Sequence, residues 1–113
     1  MRFFRKDRVS SLIREKLAWL IARDIEIPGA LVTVTDVDVD KKLDRAMTFI
    51  SVIPEEKGME ALKVLKARAG EIRFTLLKQI NIKPMPMIFF ELDRGPENAA
   101  RVEKALLNDN NKK

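Results

Sequence analysis

The sequence predicts a single α+β domain in which helices cover one side of a three-stranded sheet. Three observations lead to this prediction. The 113 residues suffice for one hydrophobic core. Apolar residues recur at helical spacing near the N-terminus and again over residues 59–80, and three segments rich in β-branched residues read as strands. We expect the order α-β-β-α-(kink)-α-β-α, with residues 1–107 forming the domain and residues 108–113 a flexible polar tail.

The first helix is predicted to begin at Asp7, whose carboxylate can accept hydrogen bonds from the free N–H groups of the first turn. Residues 27–29, Ile-Pro-Gly, end the element with a turn. Trp19 flanks the apolar side of the helix, and we expect it to pack at the edge of the core. The residues expected on the buried side are Val9, Leu12, Ile13, Leu17, Leu20 and Ile21.

Residues 31–39 and 45–53 are predicted to form two strands joined by a loop of hairpin length over residues 40–44. The second half of the first strand alternates valine with Asp36 and Asp38. This alternation predicts one buried and one solvated side of the sheet.

Residues 59–80 are predicted to form one amphipathic helix with a small-residue break at Ala69-Gly70. A glycine inside a helix costs about 1 kcal/mol relative to alanine, and this one falls on the stripe of Lys63, Lys66 and Arg73, where a partner's backbone could approach closely. An ordinary joint between two helices with a solvated basic side explains this segment alone equally well. The apolar stripe comprises Leu62, Leu65, Ala69, Ile72, Leu76 and Ile80.

Residues 87–92 are predicted to form the third strand, and the prolines just before them suit a strand start or an edge. Neighbouring residues of a strand point to opposite sides of the sheet, so Phe89 and Phe90 cannot both point into the core. Pro96 is predicted to open a last short helix. The inward residues of that helix would be Ala99, Val102 and Leu106.

Cysteine, histidine and tyrosine are absent from the sequence. Nucleophile systems built on histidine and ordinary zinc sites are therefore excluded. No glycine-rich phosphate loop is present, and the Asp36-x-Asp38-x-Asp40 run lacks the glycine and the glutamate that a calcium loop requires. We therefore expect no enzymatic activity, no metal, no cofactor and no small-molecule substrate.

The absence of cysteine and of a secretory leader favours a cytoplasmic location. No apolar run approaches the roughly 20 residues of a membrane span, so no membrane partner is expected.

Positive charge is concentrated in two separate parts of the chain. Residues 1–23 and residues 63–83 each carry a net charge of +5, whereas residues 24–62 carry −5 and residues 84–113 are neutral. Such segregation is typical of a nucleic-acid-binding protein with an acidic back. The alternative is that helices are simply richer in lysine and arginine than loops.

Several segments form a recognisable set, in order along nearly the whole chain. They are Arg8-Val9, residues 31–39, Asp40 to Leu43 leading into residues 46–52, Ala69-Gly70-Glu71-Ile72-Arg73 with Leu76, and residues 86–93. Together they resemble the bacterial ribosome-binding factor A family.

The resemblance implies a type-II KH-like fold in which the usual Gly-x-x-Gly is replaced by a small-residue kink between two helices. It also implies a non-enzymatic protein that binds the precursor of the small (30S) ribosomal subunit. The expected contacts are with 16S rRNA near the neck and decoding region, and the expected role is in late rRNA maturation and cold adaptation. The kink of the family usually carries alanine two residues before the glycine, where this chain has Arg68. Many relatives also have a longer charged C-terminal tail.

Charge distribution and resemblance agree on rRNA phosphates as the target, with contacts that depend on shape and charge rather than on base sequence. We expect a monomer by default. One rival is a KH-like binder of single-stranded RNA or DNA without ribosomal specificity, and another is a protein-interaction module that uses the sheet edge or an acidic side. The predicted rRNA-binding residues are Arg5, Lys6, Arg8, Arg14, Lys63, Lys66, Arg68, Ala69, Gly70, Arg73 and Lys78.

Overall fold

The helices and strands follow the predicted order in the computed structural model, which describes residues 5–94. The predicted last helix and the predicted polar tail lie outside the described residues. The elements are α1 Arg5–Asp24, β1 Leu31–Val39, β2 Arg45–Ile53, a 3₁₀ turn Glu55–Lys57, α2 Gly58–Ala67, α3 Ala69–Gln79 and β3 Met87–Leu92.

The three strands form one mixed sheet in the order β1-β2-β3. β1 and β2 pair antiparallel as a hairpin, with a register shift between Val34 and Asp36. β3 pairs parallel with β2, so that Thr48 lies opposite Phe90. All three strands have the predicted bounds, and β3 lies at an edge, as the prolines before it indicated.

The hairpin loop is held by the buried carboxylate of Asp40. Its Oδ1 atom accepts hydrogen bonds from the backbone N–H of Asp44 at 2.7 Å and of Arg45 at 3.1 Å. Leu43 in the same loop has a positive φ of 62°. Asp40 therefore has a structural role in closing the loop. Within residues 5–94, no group of three carboxylates is placed to hold a metal ion.

A single hydrophobic cluster joins one side of the sheet to all three described helices. Ile13 and Leu17 of α1, Leu65 of α2, Leu76 of α3 and Ile50 of β2 are all fully buried in it. The predicted apolar stripe of the second helical region is confirmed, because its members are buried and Ala69 packs against the same cluster. The helices that the structure describes thus lie on one side of the sheet, as predicted.

Two predictions for α1 are wrong. Within the described residues the helix begins at Arg5, so Asp7 lies inside the first turn, where its negative charge interacts favourably with the helix dipole but does not cap the end. Trp19 is 52% exposed, whereas Leu20 is buried. Consecutive residues are rotated by about 100° around a helix axis, so Trp19 points away from the core when Leu20 points into it. Leu12 lies at the margin of the buried side for a similar reason and is also partly exposed.

The break between α2 and α3 falls one residue before the predicted position. Arg68 leaves helical geometry at φ −102° and ψ 9°, whereas Ala69 and Gly70 are already the first residues of α3. The Arg68 N–H still donates to the Val64 oxygen at 3.1 Å. The chain therefore completes α2 before it turns, and the small residues follow the turn instead of forming it.

Leu76 and Leu77 offer a matched test of the core. Leu76→Ala should lower the free energy of unfolding by about 2–5 kcal/mol, because it removes fully buried methyl groups and leaves a cavity. Leu77→Ala, at a position 42% exposed on the same helix, should cost less than about 1 kcal/mol. Urea denaturation of both variants measures the difference, and equal losses would contradict this assignment of the inner side of α3.

Candidate nucleic-acid interface

The joint between α2 and α3 presents bare backbone to the outside. Gly70 is exposed, and a Cβ atom built on it would meet nothing within 4 Å. Its φ does not lie in the left-handed region that favours glycine. Neither packing nor backbone conformation within residues 5–94 therefore requires a glycine at this position.

Two exposed lysines on α2 approach the same joint. Lys66 lies in the last turn of α2, four residues before Gly70, and Lys63 lies one turn earlier. Their stems border an open, mostly apolar groove on the outer surface of α2. The groove is lined by Met59, Glu60, Leu62, Lys63 and Lys66.

Arg68, the turn residue, is already paired within the joint. Its Nε atom donates to Glu71 Oε2 at 3.0 Å, across the first turn of α3. Both side chains are substantially exposed, and exposed pairs of this kind contribute about 0–1 kcal/mol. An anionic partner could therefore displace Glu71 at small cost.

Arg73 differs from the other predicted site residues because its guanidinium is engaged inside the protein. Nη2 donates to the Met85 oxygen at 2.7 Å, and Nε donates to the Pro86 oxygen at 3.1 Å. These bonds fasten α3 to the segment that leads into β3. The side chain is half-buried, and its main role in the structure is to hold this segment.

The C-terminal end of α1 lies close to the joint. Arg23 forms a two-bond pair with Asp24, at 2.7 and 2.8 Å, and its guanidinium also stacks 4.2 Å from the centre of the Trp19 ring. The hydrogen bond from Arg23 lowers the pKa of Asp24, and the charge of Arg68 lowers it further. That second effect places the joint and this end of α1 within electrostatic reach of one another.

The predicted residues of α1 lie nearer its other end. Lys6 Nζ is 3.5 Å from Asp38 Oδ1 of β1, Arg8 and Arg14 are exposed, and Arg5 is the first residue of the helix. A helix of 20 residues is about 30 Å long. Lys6 and Arg8 are therefore separated from the end of α1 that adjoins Arg68, and the predicted residues do not form one compact patch.

The outer side of α3 carries an exposed aromatic ring. Phe74 is 60% exposed, and Lys78 Nζ lies 4.6 Å from the centre of its ring. Phe74 is four residues after Gly70, so the ring continues the surface that begins at the bare backbone. Aromatic rings with a nearby cation occur at RNA-contact surfaces as well as on ordinary exposed helices.

Sequence reasoning missed Trp19 and Arg23 as members of the surface near the joint. The sequence predicts Trp19 at the edge of the core and assigns no role to Arg23. The signal that could have found them is their spacing of four residues, which places an aromatic ring and a cation together on one helix surface. Phe74 and Lys78 have the same spacing.

A family model described as ribosome-binding factor A matches residues 5–106. The chain belongs to this family. Ribosome-binding factor A of Stutzerimonas stutzeri (strain A1501) is 33% identical over 116 residues, an alignment that covers 95% of this chain and 90% of the relative. The described architecture is accordingly the KH-like fold of ribosome-binding factor A structures, as predicted.

Two solved structures of the family are similar to this chain. The solution structure of a putative ribosome-binding factor A from Thermotoga maritima has a TM-score of 0.66 and 28% identity, covering 83% of this chain and 92% of that chain. A Thermus thermophilus ribosome-binding factor A model, fitted into a cryo-EM map of a 30S complex, has a TM-score of 0.66 and 24% identity, covering 74% and 90% respectively. Between residues 5 and 94, this member of the family has no helix long and apolar enough to cross a membrane.

Arg73→Lys should lower the free energy of unfolding by about 1–3 kcal/mol, because a lysine ammonium cannot reproduce the two-pronged contact and leaves a carbonyl oxygen unpaired. Arg68→Lys is the matched control, since the side chain of Arg68 forms an exposed ion pair with Glu71, and should cost less than about 1 kcal/mol. Thermal and urea denaturation measure both changes. A neutral Arg73→Lys would mean that the contact with Met85 and Pro86 contributes nothing to stability.

Proposed function

We propose that the protein binds the precursor of the small ribosomal subunit and contacts 16S rRNA during late maturation of that RNA. The observation that carries the proposal is the open backbone at Gly70, beside exposed Lys63 and Lys66. Membership of the ribosome-binding factor A family supports the ribosomal target, as does the Thermus thermophilus relative fitted into a 30S complex.

The start of α3 offers a site for an RNA phosphate. The first N–H groups of a helix have no partner within the helix, and together with the helix dipole they attract anions. At this helix start the second residue is Gly70, so no Cβ atom keeps a phosphate away from the backbone. Lys66 would add a positive charge next to that phosphate, and Arg68 would add another once it leaves Glu71.

Binding of this kind depends on the path of the phosphate chain and on the shape of the folded RNA, and only weakly on the identity of the bases. The proposed role is therefore to recognise a particular fold of the subunit precursor. We infer that the protein acts as a cytoplasmic, non-catalytic monomer, and that its contribution to rRNA processing is to stabilise one conformation of the RNA. A requirement during growth in the cold would follow, because misfolded RNA rearranges more slowly at low temperature.

General binding of single-stranded nucleic acid is the second candidate, and the exposed ring of Phe74 favours it. A base could stack on that ring, and stacking tolerates many sequences. Competition separates the two candidates. Short unstructured oligonucleotides should compete poorly for the protein if it recognises the folded subunit, and they should compete as well as subunits if it is a general binder.

Sedimentation of a native lysate through sucrose gradients tests the ribosomal proposal. We expect the tagged protein to migrate with free small subunits, to be absent from full ribosomes, and to dissociate as salt rises because phosphate contacts release counterions. Lys66→Glu should weaken binding, and the slope of log affinity against log salt concentration should become less steep by about one. Lys41→Glu, at an exposed loop on the acidic part of the chain, is the charge-matched control and should bind normally. Migration at the top of the gradient at every salt concentration would refute a ribosomal target.

Gly70→Ala should separate stability from binding. It should raise the free energy of unfolding by about 0.5–1 kcal/mol, because alanine is the better helix former and its Cβ atom meets no neighbour. The same variant should bind small subunits more weakly, and Gly70→Val more weakly still, because a side chain would hold the phosphate away from the backbone. Normal binding by both variants, measured by co-sedimentation, would eliminate the close approach at this position.

A further inference from the structure

Two exposed aromatic rings lie on the helices, on the side that faces away from the sheet. Trp19 of α1 and Phe74 of α3 are each more than half exposed. Phe74 lies about 200° around the helix axis from Ile72 and from Leu76, both of which are buried, so its ring points away from the sheet. Trp19 points away from the core because its neighbour Leu20 points into it. The two rings therefore belong to the same outer surface of the helix layer.

The two rings lie at the same level on neighbouring helices. α1 begins near the loop that joins β1 and β2, where Lys6 contacts the end of β1. α3 ends near the same loop, because the chain after it enters β3 with the Met87 N–H bonded to the Asp44 oxygen. The two helices pack against each other and therefore run antiparallel. Trp19 is five residues before the end of α1 and Phe74 is five residues after the start of α3, so both rings are about 7.5 Å from the same end of the helix pair.

Each ring carries a cation from the next turn of its own helix. The guanidinium of Arg23 lies 4.2 Å from the centre of the Trp19 ring, and Lys78 Nζ lies 4.6 Å from the centre of the Phe74 ring. Side chains on a helix lean toward its N-terminus, so each cation covers its ring from the C-terminal side. The opposite face of the Phe74 ring looks toward Gly70, where an added Cβ atom would meet no described atom within 4 Å. That face is therefore open to a flat group.

The surroundings of the rings favour RNA over a protein as the partner. Leu77 adds one partly exposed apolar side chain to this surface, but the turns before and after each ring carry exposed, charged residues. They are Glu15 and Arg23 around the indole ring, and Glu71 and Lys78 around the phenyl ring. A surface that docks a protein has a contiguous apolar patch, with lysine depleted from its centre. Surfaces that bind single-stranded nucleic acid instead combine separate aromatic rings with cations, because a base stacks on the ring and a cation meets the phosphate.

We propose that Trp19 and Phe74 stack on unpaired bases, so that the RNA that crosses α1 and α3 is single-stranded at this point. This inference rests on the proposed function and specifies the kind of RNA segment that is bound within the folded subunit. Bases inside a duplex are stacked on one another, so the rings select unpaired nucleotides. They do not select a sequence, because every base has an aromatic face. One helical turn, about 6 Å, separates Phe74 from Gly70, so the base on the ring and the phosphate at Gly70 belong to one strand.

Exchange of the aromatic rings for aliphatic side chains tests the stacking. Phe74→Leu and Trp19→Leu keep an apolar side chain and the net charge, and each should weaken binding to small-subunit precursors at least about fivefold, the lower end of what one stacked base contributes. The slope of log affinity against log salt concentration should not change, because no phosphate contact is lost. Phe74→Trp should bind at least as tightly as the parent chain. Phe89→Leu is the matched control and should bind normally, since this partly exposed ring lies between buried Ile88 and Phe90 and so on the opposite side of the sheet.

Photochemical cross-linking identifies what lies against the rings. Small-subunit precursors that contain thiouridine in their RNA are irradiated with the bound full-length protein, and the peptides that carry RNA adducts are identified by mass spectrometry. We expect adducts at Trp19 and at Phe74, because a base stacked on a ring is in direct contact with it. Phe89 should carry no adduct.

The two measurements separate failure of this inference from failure of the proposed function. If Lys66→Glu weakens binding while both leucine variants bind like the parent chain, the phosphate contacts stand and the stacking is refuted. If the leucine variants and Phe74→Trp all weaken binding and neither ring carries an RNA adduct, the surface contacts a protein of the subunit, which also overturns the inference. If neither Lys66→Glu nor any ring variant changes binding, the RNA target itself is refuted.

Discussion

The parallel pairing of β3 with β2 is the constraint on which the rest of the structure depends. Two parallel neighbours cannot be joined by a tight turn, so the chain between Ile53 and Met87 must cross back over the sheet. α2 and α3 form that crossover, and the chain bends between them at Arg68. Gly70 lies two residues after the bend, and its backbone is exposed. Arg73 then fixes the far end of the crossover through the carbonyl oxygens of Met85 and Pro86.

Sequence reasoning succeeded where local composition decides structure. The strands have their predicted bounds because dense β-branched runs are interrupted by proline, glycine or a polar loop, and these signals act within a few residues. It failed by one residue at the helix break, since Ala69 and Gly70 attract attention while the dihedral angles of Arg68 are set by the packing of two helices on the sheet. It could not assign Arg73, whose partners are 12 and 13 residues away and become neighbours only after folding.

The candidate site shows a similar division between what is local and what is tertiary. The lysines of α2 are exposed as their spacing predicted, but Lys6 and Arg68 already have carboxylate partners in the fold. A count of basic residues in the sequence therefore overstates the charge that is immediately available to a phosphate chain. These pairs are exposed and weak, so they can exchange a carboxylate for a phosphate at little cost. The arrangement limits non-specific attraction while leaving the charges available to a partner that fits.

The position of Trp19 gives this protein an optical reporter of its own. It is the single tryptophan in the sequence, and its half-exposed ring lies under Arg23, at the end of α1 that adjoins the helix joint. Indole emission responds to hydration and to nearby charge, and a cation in contact with the ring changes both. Any event that moves Arg23, or that brings a phosphate chain to the joint, should therefore alter the intrinsic fluorescence without a label. Tyrosine is absent, so that emission comes from one known place on the surface.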